Sequence, residues 1–476
     1  MKIRFGFALA MAIGLGSTGC ASGGGATNGG PAGGNPGGGG VALMGENPRE
    51  TENTRAANEH LELADGAADS ATAQMHYQQA LASAEAAVAE DPSNPLAHRQ
   101  VALANLGLED YAAAAEAFDT AAELRPLYEF EDQGLRERVW IDLYQRAAPL
   151  VQQGEYERAA EMFEDANAIY SERPEAMITL GQIYAQMRDH DRALQNLDRA
   201  MAIIDSADVQ EMDSATVASW QEQRADLPLL RAQILTDAGR FEEAATAFRG
   251  ISEANPEDVG ARRALAGLLM QSGQTEEAFA VYDSLLARPN LAHEDYYNIG
   301  IGFYQGDAYG RAAEAFGRAA EELPQDRDAL EMWARSLQLD SAFAEVPEVA
   351  DRWIELDPYS QNAYLILAQA VNQLGDQTRA REAITRIDEL EVQVTDLQIS
   401  RFPDGGAQVT GSVANKTLEP GSGVMLEFTF YGQNGSPLGT ATANISVGQE
   451  GMAEIFQVDF DSTQPVGGYG YELTVG

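Results

Sequence analysis

Three glycines, Gly300, Gly302 and Gly306, lie in the stretch YYNIGIGFYQGDAYG, close to the G-x-G-x-x-G spacing that lets backbone amides approach a dinucleotide pyrophosphate. That chemistry needs a strand before the glycines and a helix after them. Here the third glycine falls one residue late and both flanks have a helical pattern, so phosphate cradling is demoted and packing is the expected role. Gly302 has no counterpart in the pattern described below; it either loosens its helix or admits a ligand. Other chemistry is equally thin. No P-loop, Ser/His/Asp or Cys/His constellation occurs, and the five histidines (His60, His76, His98, His190, His293) make no HExxH or paired-ligand motif. Acidic pairs such as Glu242/Glu243 are expected on a solvated helix face. No catalytic residue, cofactor or metal site is expected.

The charge narrows the partners. With 74 Asp+Glu against 31 Lys+Arg, the net charge is −43. Nucleic acid, which needs Lys/Arg to displace counterions from phosphates, is excluded as a partner, as is polybasic docking on anionic lipid. Only two lysines occur, Lys2 and Lys416. Abundant acid with little lysine suits either a saline habitat or a GC-rich genome that favours Ala, Gly and Arg.

The elements that must position any site come next. Residues 1–20, MKIRFGFALAMAIGLGSTGC, have a basic start, an apolar run and small residues before Cys20, the layout of a secretory signal. Ser17-Thr18-Gly19-Cys20 resembles the lipobox of bacterial lipoproteins, with Ser17 where that family has Leu. The resemblance implies that Cys20 becomes the lipidated N-terminus, each buried methylene contributing ~0.8 kcal/mol of anchoring. Ala21 rather than Asp follows, which by the same resemblance implies the outer membrane, periplasmic side, with the cell surface as an alternative. Residues 21–50 are a Gly-rich linker; twenty such residues span roughly 25 Å as a coil.

Residues 51–390 are Ala-rich with apolar residues at helical spacing. An anchor alanine, in most units followed four residues on by a large apolar residue, recurs at Ala80, Ala114, Ala159, Ala193, Ala244, Ala278, Ala312, Val346 (in its place) and Ala380, in steps of 34, 45, 34, 51, 34, 34, 34 and 34. Twelve residues before this anchor lies a small residue (Ala102, Ala147, Gly181, Ala232, Ala266, Gly300, Ala334, Ala368). Five before it lies glycine in several units (Gly154, Gly239, Gly273, Gly375). Twelve after it proline recurs (Pro92, Pro126, Pro256, Pro324, Pro358). This period and pattern resemble the tetratricopeptide repeat, TPR. The fold expected is mainly α, an α-solenoid of about nine helix pairs, with insertions near Leu127–Gly134 and Ser206–Gln223 and a kink at Pro149.

The resemblance implies which positions of the first helix of each pair, helix A, face a concave groove. Counted from the Gly300-type site, they lie three before and one, four and five after. The last gives Gln152, Gln186, Gln271, Gln305 and Gln373, with Asp237 at the same register. Amides can donate to and accept from an extended backbone; equally, Gln is a good solvated helix former. Tyr297, Ile301, Tyr304, Arg263 and Met270 face the same groove, the tyrosines as recognition anchors or as packing between units. The paired Lys/Asn set of carboxylate-clamping TPR domains is absent.

Residues 391–476 alternate apolar and polar in VQVTDLQIS, AQVTGSVAN, VMLEFTFYG, ANISVG, AEIFQVDF and YGYELTVG, which predicts six or seven antiparallel strands in a small β-sandwich. The G-x-V-x-N strand followed by a long apolar strand resembles FxLYD-like bacterial modules. The Asn415 sequon is expected to be incidental. Together these features predict a non-enzymatic, membrane-tethered scaffold for other envelope proteins or peptides in assembly, secretion or export. A cell-wall- or polysaccharide-binding lipoprotein using the sandwich is the alternative.

Overall fold

The computed structural model describes residues 45–206 and 214–476; Cys20, the signal segment and most of the Gly-rich stretch lie outside them. The chain divides into two compact units, one ending at Ala238 and one running from Gly239 to Gly476.

Nine helices lie among the described residues of the first unit: α1 (Glu52–Asp65), α2 (Ser70–Glu90), α3 (Pro95–Gly107), α4 (Tyr111–Leu124), α5 (Leu127–Gln153), α6 (Tyr156–Ile169), α7 (Glu175–Gln186), α8 (His190–Ser206) and α9 (Ser214–Asp237). The second unit holds α10 (Phe241–Ala254), α11 (Val259–Gln271), α12 (Thr275–Leu286), α13 (His293–Gln305), α14 (Tyr309–Glu322), α15 (Arg327–Leu339), α16 (Val346–Leu356), α17 (Gln361–Gln373) and α18 (Gln377–Glu389). Six strands follow: β1 (Val392–Arg401), β2 (Ala407–Asn415), β3 (Gly423–Gly432), β4 (Pro437–Ser446), β5 (Ala453–Phe460) and β6 (Val466–Val475).

The repeat pattern becomes geometry position by position. The anchor residues from Ala80 to Val346 are fully buried, and the small residues twelve before the anchors are buried at every helix A. A Cβ on Gly181 would lie 2.5 Å from the Leu197 side chain, and one on Gly300 2.7 Å from the Phe316 ring. These two sites are therefore where helix A and helix B of one pair touch. Each recurring proline stands two residues beyond a helix B end: Pro92 after Glu90, Pro126 after Leu124, Pro256 after Ala254, Pro324 after Glu322 and Pro358 after Leu356. Five residues before every anchor from Ala114 onward, the backbone is left-handed. Glycine fills that position at Gly154, Gly239, Gly273 and Gly375; Glu109, Arg188, Asp307 and Ser341 fill it elsewhere with φ of 60–63°. In the α13–α14 turn it is thus Asp307, not Gly306, that makes the bend.

The first insertion, and the described part of the second (214–223; residues 207–213 lie outside the described residues), lengthen helix A. The helices α5 and α9 have 27 and 24 residues, against 12 or 13 for α3, α7, α11, α13, α15 and α17. Leu127–Gly134 forms the first two turns of α5, and the helix runs on through Pro149 to Gln153. In the degenerate pair, Pro347 allows α16 to start only at Val346, because proline lacks the N–H an interior position would need.

The strands form two three-stranded antiparallel sheets, ordered β1-β2-β5 and β4-β3-β6. Their inner faces share one core, with Phe430 stacked on Phe460 at 4.4 Å and Phe428 against Phe456 at 5.7 Å between ring centres. The fourth strand is longer than its apolar pattern: it begins at Pro437, and only 433–436 form the turn. Pro437 is tolerated because β4 is an edge strand. Asn415 is buried; its Nδ2 donates to the Leu418 and Gly448 carbonyls and its Oδ1 accepts from Leu418 N–H, so it pins two loops.

Candidate functional site

The glycines of α13 are answered by packing. A Cβ on Gly302 would fall 2.4 Å from the Tyr282 ring of α12, and one on Gly306 2.6 Å from Phe279 and 2.8 Å from Met270 Cε. Gly300 makes room for the helix of its own pair, and Gly302 and Gly306 for side chains of the pair before. None presents a free amide cradle. Among the described residues no group of three or more His, Cys, Asp or Glu side chains is placed to hold a metal ion.

The helix A positions assemble differently in the two units. In the second unit, Arg263 of α11 donates to Asp295 of α13 (2.7 Å), and Gln338 of α15 donates to Gln369 of α17 (2.5 Å). Gln338 and Gln369 thus meet from two of the groove registers, while Arg263 reaches a residue, Asp295, that is on none of them. Tyr297, Ile301, Tyr304, Arg263 and Met270 are half-buried. Tyr297 meets Phe316 edge-on at 5.3 Å, and Tyr304 meets Tyr309 edge-on at 5.4 Å. The tyrosines pack, and each keeps part of its surface in solvent. Burial and then the neighbouring Asp328 push the Tyr297 phenol above its ordinary range, so it stays a hydrogen-bond donor.

Gln271, Gln305 and Gln373 are exposed, and each is the last residue of its helix. Their side-chain amides have no hydrogen-bond partner among the described residues. Gln152 and Gln186 occupy the same register in the first unit, likewise exposed at helix ends. The five glutamines are therefore divided, two in one unit and three in the other. The same register rule, carried on to α15 and α17, reaches residues that the search for glutamines and tyrosines passed over. Leu339 and Leu365 are exposed (47% and 42%). Gln369 and Asn372 are exposed as well. The signal was the register, not the residue type.

The residues matched by family models of the tetratricopeptide repeat are 66–129, 150–219 and 235–298. Their helix hairpins are the ones described above. These segments are tetratricopeptide repeats. The TPR geometry continues through α18, beyond the matched stretches. Repeats of this kind mediate protein–protein interactions.

Among solved structures, similarity extends to the C-terminal part of a TPR repeat-containing protein from Cytophaga hutchinsonii (16% identity, 51% of this chain and 93% of that one, TM-score 0.38). Another is MamA from Desulfovibrio magneticus (22% identity, 35% and 94%, TM-score 0.29). A third is YrrB, described as a TPR protein with an unusual peptide-binding site (21% identity, 46% and 97%, TM-score 0.30). No curated protein matches the sequence.

In the second unit the TPR array is joined to the sandwich through a buried polar cluster. Arg327, the first residue of α15, donates from Nε to Asp357 Oδ2 (2.8 Å) and pairs through Nη1 with Asp328 (2.7 Å) and Glu331 (3.0 Å). Tyr471 of β6 donates its hydroxyl to Asp357 Oδ1 (2.6 Å). Burial and the adjacent Asp357 carboxylate hold the Tyr471 phenol protonated, far above its usual range. Around it, Gly468 lies against the Gln325 carbonyl so closely that a Cβ would come within 2.0 Å of it. Lys416 donates from Nζ to the Ile387 carbonyl near the end of α18 (2.7 Å), a favourable place for a cation.

Proposed function

We propose that this chain is a membrane-tethered, non-enzymatic scaffold that holds an extended segment of another envelope protein along the A-helix face of its TPR array. The observation that carries this reading is the row of exposed amides without partners among the described residues, Gln271, Gln305 and Gln373, beside the half-exposed Tyr297, Ile301 and Tyr304. A polypeptide backbone offers both donors and acceptors, and amide side chains answer both. Tyrosines supply rigid apolar contact at little entropic cost. Acylation of Cys20 would place the scaffold at the outer membrane, on its periplasmic side, in assembly, secretion or export. The FxLYD-like sandwich would act as a second contact module.

The test is capture from detergent-solubilised envelope with the full-length protein and with a Tyr297→Ala, Tyr304→Ala, Gln305→Ala variant. The variant is expected to fold and to lose the partners that the parent retains; capture of the same partners by both would sink the groove assignment. Retention of the parent on peptidoglycan or polysaccharide, with no protein captured, would favour the wall-binding alternative. Radiolabelled palmitate incorporation that disappears in Cys20→Ser would support the anchor.

A further inference from the structure

The residues just before α1 are bound to the repeats that follow. Glu46 donates its N–H to the Leu124 carbonyl at the end of α4 (2.8 Å). Gly45 lies against the same carbonyl with a φ of +50°, and a Cβ there would come within 2.3 Å of it, so the position needs glycine. Further along, Arg49 and Asn94, the N-cap of α3, exchange two hydrogen bonds. The Arg49 N–H donates to Asn94 Oδ1 (3.0 Å), and Asn94 Nδ2 donates to the Arg49 carbonyl (2.8 Å). Asn94 is fully buried. The Arg49 guanidinium reaches Asp91 through Nε (2.8 Å) and donates from Nη2 to Ser93 Oγ (2.6 Å). Residues 45–50 therefore lie across two turns between successive helix pairs, α2–α3 and α4–α5, before the chain enters α1 at the Thr51 cap.

We propose, resting on the membrane-tethered reading, that residues 45–50 are a strap that takes the pull of the tether before it reaches α1. A force arriving from the N-terminal side of Gly45 meets the Glu46–Leu124 bond first, then the four contacts of Arg49, and only then the capping box of Thr51 and Thr54. Without the strap the same force falls on the first turn of α1, and helix ends open at little free-energy cost. What α1 holds is part of the array: Leu61 packs with Ala80 of α2 and Ala104 of α3, and buried Gln100 of α3 donates to the Thr54 carbonyl (2.8 Å). The strap draws little from the Arg49–Asp91 pair, which is 46% and 31% exposed and weakened by water and salt. Its hold is the buried Asn94 amide, which the Arg49 backbone satisfies on both its donor and its acceptor side. The strap also fixes where the tether leaves the fold: beside Pro126 at the α4–α5 turn, not at the start of α1.

Trypsin reads the strap directly, because Arg49 is the first Lys or Arg after Arg4. In the full chain left unacylated, the Arg49–Glu50 bond is expected to be cut several-fold faster in a Gly45→Val, Asn94→Ser double variant than in the parent. Valine cannot fit against the Leu124 carbonyl, and serine keeps an N-cap for α3 while losing the amide that holds Arg49. Each single variant should fall between, and cutting elsewhere in the chain should be unchanged. Equal cutting at Arg49 in parent and double variant would overturn the strap. The load is read by pulling between the Cys20 thiol and the C-terminus in an optical trap. The double variant should begin to unfold at lower force, and the same first force in both chains would overturn the load-bearing role. Should the double variant not fold, Gly45→Val decides alone. Both readouts use the unacylated chain, so they succeed or fail independently of palmitate incorporation at Cys20.

Discussion

Arg99 in the first unit and Arg327 in the second stand in comparable places, each near the start of an A helix and each bound to a buried aspartate. Arg99 takes Asp132 through Nε and Nη2 at 2.6–2.9 Å, with its guanidinium 4.8 Å from the Tyr128 ring centre. Arg327 takes Asp357 and lies 5.8 Å from the Trp353 ring centre. What differs is the source of the partners. Tyr128 and Asp132 come from the extra turns that begin α5. Trp220, from the extra turns of α9, likewise donates to Glu175 at the start of α7 (3.1 Å). In the second unit no helix A is lengthened, and Tyr471 and Arg401 arrive from a different fold. The lesson is that the helix starts of a repeat array need covering, and that either a longer repeat or an appended domain can do it. The covering has a consequence for binding. Arg99 occupies a groove register and is tied up by its own chain, whereas Gln305, Leu339 and Leu365 of the second unit are exposed at groove registers.

The largest effect should come from removing one partner of each ion pair. Asp357→Ala leaves Arg327 and the Tyr471 hydroxyl buried with a partner missing and is expected to destabilise the second unit by ~3–5 kcal/mol. Asp132→Ala should cost less, about 2 kcal/mol, because Arg99 is 29% exposed and can rehydrate. Urea unfolding followed by hydrogen exchange in each unit would check both; equal losses would mean that the two coverings are energetically equivalent. A middle-sized effect is expected from Gly302→Ala, which drives a Cβ into the Tyr282 ring and should destabilise by ~1–3 kcal/mol. If it proved neutral, Gly302 would not be a packing residue. The smallest effects should be gains. Arg188→Gly in the first unit and Asp307→Gly in the second relieve a left-handed non-glycine backbone at the same register and are expected to add up to ~1 kcal/mol each. Unequal gains would show that one turn is strained by its surroundings and the other is not.

Much of the repeat array was legible because its rules are local. The anchors, the small residues twelve before them and the prolines two past each helix end obey a single period, and helical packing reads that period directly. Glycine marked only half of the left-handed positions, since Asp, Ser, Glu and Arg can be forced into that conformation once both flanking helices are in place. Two strands, β2 and β5, have the ends their alternation predicts, while β4 extends into PLGTATA, where pairing with β3 and not side-chain pattern holds the strand. Of the candidate site, the registers were legible. Their surroundings were not, because whether a tyrosine faces a ring or a ligand depends on the next helix.

The sequence by itself determined the period, the helix pairs, the strand alternation and the registers that share a face, since each depends on residues a few positions apart. Tertiary structure decided that the first insertion and residues 214–223 of the second would become helix and bind Arg99 and Glu175. It also gave Gly302 and Gly306 their purpose and turned Asn415 inward. Above all, it brought Asp357 to Tyr471 across 114 residues and Asp326 to Arg401. No local pattern encodes those meetings: they join two surfaces far apart in sequence, whose charges and hydroxyls satisfy one another only where the fold brings them together.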